Sequence, residues 1–170
     1  MANTFTLIEA KTLSSNTSSI TFSSVPQTYD DLVLIASAKS TGTRTATGVN
    51  IQFNSSSSNF SGIRLYGDGS STGNYSSGNF AMAVVGTQTA ANFTFSNSEI
   101  YIFNYTSSSA KPYSVCSVTE NNGGDALADF VAGLWSNSAA ISSITLITDT
   151  PGSEYLTSNS TFYLYGIKKS

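Results

Sequence analysis

Apolar and polar residues alternate with a period of two over most of this sequence. Residues 20–23 read Ile-Thr-Phe-Ser, and residues 49–54 read Val-Asn-Ile-Gln-Phe-Asn. A period of two places successive side chains on opposite faces of a β-strand, whereas one face of a helix needs a period of 3.6. The chain is therefore expected to fold into strands with one face in a core and the other in water.

The alternating segments are rich in Val, Ile, Thr, Tyr and Phe, and clusters of Ser, Gly and Asn separate them as turns. Because no β-α-β alternation is visible, the sheets are expected to be antiparallel. We predict an all-β fold, a jelly-roll-like antiparallel β-sandwich of about 8–11 strands in one domain over residues 1–170. Residues 1–12 form either an N-terminal arm or an edge strand. The segments predict about eleven strands, near residues 4–12, 18–25, 31–40, 48–54, 62–67, 80–88, 98–106, 112–120, 129–136, 142–149 and 160–168.

Three Ser-, Gly- and Asn-rich segments predict the main turns: residues 55–58, 67–74 and 121–125. Asp68 and the acidic residues of 120–129 could offer oxygen ligands to calcium, but their spacing does not match a calcium-binding loop. We therefore predict polar turns and no metal site. Ala126 to Leu134 fits a short helical turn as well as a strand.

The composition argues against several classes of function. Ser and Thr make up 53 of the 170 residues, charged residues only 10%, and the chain has no His. Without His it can form neither a Ser-His-Asp triad nor a His-ligated metal site. Seven Lys and Arg residues with a net charge of −3 argue against nucleic acid. Asp30 and Asp31, the adjacent carboxylates, point to opposite faces of a strand. We expect no enzyme, no catalytic residue and no cofactor.

Cys116 is the single cysteine, so it has no disulfide partner within the chain. Its place in an alternating segment predicts a small buried side chain without a redox role. Residues 1–5 show neither the basic nor the apolar part of a signal peptide. The longest apolar run, residues 32–36, is far shorter than the ~20 residues of a membrane helix. We expect a protein made in the cytoplasm, without a membrane partner.

Two segments, residues 31–36 and 100–103, are apolar on both faces. Either an arm or a loop covers the outer face of a central strand, or that face is a subunit interface. Aromatic residues in such strands favour a core or an interface over a platform for glycan. The N-terminal residues could also pair with a neighbour's edge strand. The candidate interface residues are Val33, Ile35, Tyr101, Phe103 and Tyr105, with Phe5, Leu7 and Ile8 from the N-terminal segment.

Several segments together resemble small virion structural proteins of tailed bacteriophages, including cyanophages. Residues 160–168, Ser-Thr-Phe-Tyr-Leu-Tyr-Gly-Ile-Lys, resemble their terminal strand with the pattern S-x-F-x-L-Y-G-I. Residues 20–34 resemble their F-x-S-I-P-x-T-Y-x-D-L segment, and residues 64–69 and 141–146 fall at the expected places between. The likeness spans essentially the whole chain. Its motifs are structural, so no catalytic residue is carried over.

The resemblance implies a β-sandwich of the virion, made in the host cytoplasm. One role it implies is a head decoration (cement) protein that binds the major capsid protein in many copies, often as a homo-trimer. The other is a tail-fibre or tail-tip module that binds cell-surface glycan in the manner of a lectin. The short chain shows no coiled-coil heptads and no collagen-like repeat, which favours decoration. Many weak, low-charge contacts would then supply the affinity.

Overall fold

In the computed structural model, the strands form two antiparallel sheets packed face to face as a sandwich. The structure describes residues 4–43, 46–85, 94–120 and 126–169, and no helix occurs in them. Those residues form twelve strands: β1 (Phe5–Thr12), β2 (Ser19–Phe22), β3 (Asp31–Ala38), β4 (Ala46–Phe53), β5 (Phe60–Gly67), β6 (Thr72–Ser76), β7 (Phe80–Val85), β8 (Ser96–Ile102), β9 (Lys111–Glu120), β10 (Ala126–Trp135), β11 (Ile144–Thr148) and β12 (Thr161–Ile167). The predicted all-β antiparallel sandwich is confirmed.

The strand order identifies the type of sandwich. The larger sheet runs β1-β12-β3-β8-β9-β10-β5-β6, and the smaller sheet runs β2-β11-β4-β7. When the hairpins β5–β6 and β9–β10 are set aside, the other eight strands follow the order 1-8-3-6 and 2-7-4-5. This is the strand order of a jelly roll, as the sequence predicts. The two hairpins extend the larger sheet beyond β8, which makes it twice as wide as the smaller one.

All eleven predicted strands are present with shifted ends, and the structure adds one more. Thr72–Ser76 forms the edge strand β6, although residues 67–74 predict a turn. Only residues 68–71 make that turn, where the Asp68 carboxylate accepts hydrogen bonds from the backbone N–H groups of Ser70 and Ser71 at 2.9 and 2.6 Å. The Ser71 hydroxyl donates to the same carboxylate at 2.8 Å and is the main cause that holds the pKa of Asp68 well below its usual range, with the backbone bonds and the Ser70 hydroxyl adding to it.

The other predicted turns and the helical alternative have different outcomes. Residues 126–134 lie in strand β10, so the helical turn is wrong. The predicted turn 121–125 lies outside the described residues, as do residues 86–88 of the predicted strand 80–88.

The core lies between the two sheets and ends in an aromatic cluster. The rings of Phe53, Phe60, Tyr113 and Trp135 lie 5.4 to 6.2 Å apart, mostly edge to face. The indole N–H of Trp135 donates to the carbonyl of Ser58 at 3.2 Å, as a buried indole requires. The remaining core is aliphatic on both sheets, with Leu32, Leu34, Ile100, Ile102 and Leu164 facing Val49, Ile51, Ile144 and Leu146.

The first strand is an edge strand of the larger sheet and pairs with β12. A bulge between Leu7 and Glu9 shifts its register. An ion pair of 2.9 Å between Glu9 and Lys11 also lies on this edge. Bulges and charges are features that keep an edge strand from pairing with another chain. Of the two predictions for residues 1–12, the edge strand therefore describes Phe5–Thr12.

Candidate docking surface

The outer face of the larger sheet, meaning the side that points away from the smaller sheet, is apolar. Of the large hydrophobic side chains that are exposed in the described chain, all but Tyr75 lie on it. The exposed face of an antiparallel sheet is ordinarily polar, so this arrangement needs an explanation. The apolar residues of this outer face are Phe5, Leu7, Ile35, Ile63, Leu65, Phe103, Val118 and Phe130.

The strand register arranges the outer face in continuous rows. One row contains Ala10, Tyr163, Ile35, Glu99, Cys116, Phe130, Leu65 and Asn74. The next contains Leu7, Tyr165, Val33, Tyr101, Ser114, Ala132, Ile63 and Ser76. Both rows cross all eight strands, which at about 4.8 Å between neighbours span about 34 Å. The apolar surface is therefore one strip that runs from the edge strand β1 to β5, and the outward residues of the other edge strand, Asn74 and Ser76 of β6, are polar.

Five of the predicted interface residues contribute to this face. Phe5, Leu7, Ile35 and Phe103 are exposed, with Phe5 the most open at 55%. Tyr101 is half-buried, and its ring lies 4.4 Å from that of Phe103 between centroids. Their exposure leaves them accessible to a partner, and their role in binding stays a prediction.

The other three predicted interface residues are not available on the outer face. Tyr105 is fully buried in the core, because Asn104 takes a left-handed conformation (φ 46°) just after β8 and turns the chain inward. Its hydroxyl donates to the carbonyl of Pro26. Val33 is only 2% exposed, since Tyr101 and Tyr165 flank it in its row. Ile8 is partly buried against the core. Tyr105 therefore does not share the outer face with Tyr101 and Phe103.

The sequence reasoning missed the half of the outer face that the two hairpins supply. Ile63, Leu65, Val118 and Phe130 lie there, and Phe130 is 58% exposed. Cys116 lies between them and is exposed, so the prediction of a buried thiol is wrong. Apolar residues at alternate positions mark these strands, but the alternation does not show which side of each strand lies outside the core.

Among the residues that the structure describes, a single charged side chain lies in the middle of the outer face. Glu99 is exposed on β8 between Ile35 and Cys116, and it lines a shallow groove of about 340 Å³ with Leu65 and Phe130. No ion pair or hydrogen bond of its carboxylate is present within the described ranges. An apolar surface with one carboxylate at its centre thus results.

At one end of the outer face, a buried carboxylate fastens the C-terminal residues. Asp31 accepts hydrogen bonds from the Tyr101 hydroxyl at 2.7 Å and the Asn104 N–H at 2.8 Å, and pairs with Lys169 at 2.9 Å. Burial alone raises the pKa of Asp31, but these hydrogen bonds and Lys169 outweigh it and lower the pKa. Burial, together with the bond to Asp31, raises the pKa of Tyr101 to about 12.

The opposite side of the hairpin β5–β6 carries an arginine surrounded by rings. Arg64 donates to the buried carboxylate of Asp129 and to the Tyr75 hydroxyl. Its guanidinium lies 4.2 Å from the ring centroid of Phe80 and 5.1 Å from that of Tyr75. Tyr75 remains 43% exposed beside Tyr66. An exposed ring next to polar groups is a surface on which a sugar could stack.

Within residues 4–43, 46–85, 94–120 and 126–169, no cluster of three or more Cys, Asp or Glu side chains could hold a metal ion. That part of the chain also contains no helix that is long and apolar enough to cross a membrane. What the outer face can do is bind another surface.

Comparison of the chain with known protein families, with curated proteins and with solved structures finds no match.

Proposed function

We propose that the protein is a structural protein of a tailed-phage particle that decorates the head and binds the major capsid protein through the outer face. The observation that carries the proposal is the series of apolar and aromatic side chains on the outer face, which runs from β1 to β5 across seven of the eight strands of the larger sheet. Contiguous apolar patches of this kind mark contact sites on soluble proteins. The protein acts by binding geometry and not as an enzyme.

The size of the outer face supports a contact that works in many copies. Five residues along each of eight strands give it roughly 600 Å². If about 400 Å² of this is apolar, burying it contributes about 10 kcal/mol. Association costs of about 4–15 kcal/mol offset most of that gain. A single contact is therefore weak, and a lattice of linked copies, such as a homo-trimer on the capsid, supplies the affinity.

The segments that resemble virion proteins belong to the scaffold beneath this surface. Residues 20–34 include β2 and the start of β3, and residues 160–168 contain β12. Strands β3 and β12 pair along their length, and their outward residues Ile35 and Tyr163 lie side by side in one row. The resemblance therefore concerns the part of the sheet that carries the outer face, which supports a virion role.

The proposal is tested with purified phage heads assembled without this protein. We expect the wild type to bind them and to raise the temperature at which they release DNA. Phe130→Asp, in the outer face, abolishes binding. Thr21→Asp, on the exposed side of the smaller sheet, is the matched control and binds as the wild type does.

The single thiol reports where contact occurs. Cys116 is exposed in free protein, so a maleimide labels it without denaturant. On the head it becomes protected, because it lies in the middle of the outer face. Binding by Phe130→Asp at wild-type strength, or a thiol that stays reactive on the head, would contradict the proposal, as would binding to tails alone.

A second candidate is a tail module that binds cell-surface glycan, and the exposed ring of Tyr75 favours it. The ring lies beside Arg64 and Tyr66, away from the outer face. This candidate predicts binding on a glycan array that Tyr75→Ala removes and Phe130→Asp leaves intact. Absence of binding to every glycan and to host cells would exclude it.

A further inference from the structure

We infer that the occupant of the outer face is a protein surface of a different chain, largely apolar, that presents one lysine or arginine side chain to Glu99. This inference rests on the proposed function, because it specifies the partner of the same surface. It follows from the place of Glu99, from the lack of a cation near it, and from the size of the face.

Glu99 cannot be avoided by anything that covers the outer face. It lies on β8, the fourth of eight strands, and its neighbours across the sheet are Ile35 on one side and Cys116 on the other. A partner that buries Phe130 and Ile35 therefore also buries the carboxylate between them. Burying an unpaired carboxylate costs several kcal/mol, which would cancel much of the apolar gain.

The described part of this chain supplies no cation for Glu99. Lys111 and Lys39 are buried, and Lys11 pairs with Glu9. Arg64 lies on the other side of the sheet, bound to Asp129, and Lys169 is held by Asp31. Lys168 donates to the carbonyl of Thr28 at 3.1 Å and lies 3.8 Å from the carboxylate of Asp30. The basic groups of the described residues are thus engaged or placed elsewhere, and the cation must come from the partner.

A second copy of this chain is a poor occupant for the same reason. Two identical faces packed about a two-fold axis through their centres bring two Glu99 carboxylates into one buried region without a cation. Like charges in such a contact suppress the wrong partner. Glu99 therefore selects against self-packing through this face, and a homo-oligomer must use another surface.

The area of the outer face reaches the lower limit of specific contacts between proteins. The face of roughly 600 Å² gives about 1,200 Å² of total buried surface with a partner of matching size, which is the lower end of specific interfaces. At that size, one well-formed ion pair at the centre decides whether the contact forms. An apolar surface with a single basic side chain complements both the shape and the charge.

The test uses the chain itself as the probe. Glu99→Lys converts the outer face into an apolar surface that carries one basic side chain. We expect the wild type and Glu99→Lys to associate with each other about tenfold more tightly than either associates with itself, since close interfacial charge pairs contribute about 1.5 kcal/mol or more. Sedimentation gives the affinity, and protection of the Cys116 thiol locates the contact.

Two variants serve as controls. Glu120→Lys makes the same change of charge at the rim of the outer face, and its mixture with the wild type shows no added association. Glu99→Gln removes the charge without supplying a cation. The mixture of the wild type with Glu99→Lys is called the charge-matched mixture. If Glu99→Gln associates with itself as tightly as the two proteins of this mixture associate with each other, the requirement for a basic partner is refuted. Absence of association in the charge-matched mixture, with Cys116 reactive, also refutes it.

Head binding separates this inference from the proposed function. If Phe130→Asp loses binding to heads and Glu99→Gln weakens that binding about tenfold, the results support both the proposed function and the inferred basic partner. If Phe130→Asp loses binding while Glu99→Gln binds as the wild type does, the results support the proposed function and refute the requirement for a basic partner. If the wild type itself does not bind heads, the proposed function is refuted. The mixture of the wild type with Glu99→Lys still tests whether the outer face prefers a partner with a basic side chain.

Discussion

The ring of Tyr29 lies directly against the backbone of Gly166 in the last strand. A Cβ at position 166 would be 2.3 Å from Cγ of Tyr29, closer than real contacts allow. Next to this contact, the Asp30 N–H donates to the carbonyl of Ile167 at 2.8 Å. Glycine ordinarily weakens a strand, but here it leaves space for a neighbouring ring. Both motif segments of the sequence meet at this point.

We predict that Gly166→Ala lowers the free energy of unfolding by about 1–3 kcal/mol, because its methyl group overlaps Tyr29. Gly78→Ala is the control, since a Cβ there meets nothing within 4 Å. In the double variant Tyr29→Ala/Gly166→Ala, the alanine at 166 should cost little more than Tyr29→Ala alone. Urea unfolding measures the wild type and the four variants. Equal costs for the two glycine substitutions would show that the overlap is relieved without strain.

The buried ion pair between Arg64 and Asp129 gives a second prediction. Asp129 is fully buried, and its second carboxylate oxygen has no hydrogen-bond partner in the described part of the chain. Arg64→Met therefore leaves a buried carboxylate without its cation and should cost about 3–5 kcal/mol. Removing both charges in Arg64→Met/Asp129→Leu should recover most of that loss. Thermal unfolding decides the matter, and a double variant as unstable as Arg64→Met would refute the explanation.

Asp31 should make stability depend on acid pH. Its pKa in the folded chain lies below the usual 3.8, so its carboxylate stabilises the fold above that value and loses this contribution as pH falls through the lowered pKa. Asp31→Asn should cost about 2 kcal/mol at neutral pH, as for a hydrogen-bonded charge. The difference from the wild type should shrink in acid.

The control for this prediction is Asp30→Asn. Asp30 is partly exposed, and its ion pair with Lys168 is long at 3.8 Å. Its carboxylate also accepts a hydrogen bond from the Lys169 N–H at 2.6 Å, which the amide oxygen of asparagine can accept as well. Its replacement should cost less than about 1 kcal/mol. Unfolding curves at neutral and acid pH give both profiles. A constant difference between Asp31→Asn and the wild type across this range would argue against ionisation of Asp31 as the cause.

Lys111 should make the stability of the fold depend on pH in the alkaline range. It is fully buried, and its ammonium donates to the carbonyls of Ser109 at 2.6 Å and Asn137 at 2.9 Å. Burial lowers its pKa below the usual 10.5, so between the two values the unfolded chain holds a proton that the folded chain has released. Stability of the wild type should therefore rise with pH in that window relative to Lys111→Met.

Urea unfolding from neutral to alkaline pH measures this rise. Lys11→Met makes the same change of charge at a partly exposed position and serves as the control. The comparison stays below pH values near 10, because burial raises the pKa of Tyr113 to about 12, and its ionisation in the unfolded chain then lowers stability. Parallel curves for Lys111→Met and the wild type would exclude Lys111 as the source.

The alternation of side chains was enough to predict the strands and the sandwich, but not which side of each strand faces the core. An alternating strand is ordinarily expected to bury its apolar side chains and expose its charged ones. In β5 the opposite holds, because Ile63 and Leu65 point outward while Arg64 points inward. The sequence places them in a strand, but only the packing of the smaller sheet over half of the larger one decides their exposure. The same cause explains the exposed thiol of Cys116.

Local backbone conformation and hydrogen bonding determine other features of the fold that the alternation of side chains does not predict. Tyr105 continues the spacing of Tyr101, yet one left-handed residue after β8 sends its ring to the opposite side. The edge strand β6 has no apolar alternation, because neither of its faces is deeply buried. It forms through backbone hydrogen bonds to β5, and such bonds cannot be predicted from the side chains of the strand.

The last strand, β12, lies between the first strand and β3. During synthesis, β1 therefore has no neighbour in the larger sheet until β12 leaves the ribosome, long after β3 to β10 are available. Folding depends on contacts between distant parts of the chain, and such topologies close slowly. In the interval, the nascent chain exposes the edges of β1 and β3. Shielding of those edges, rather than the strength of the finished core, should limit the yield of this protein.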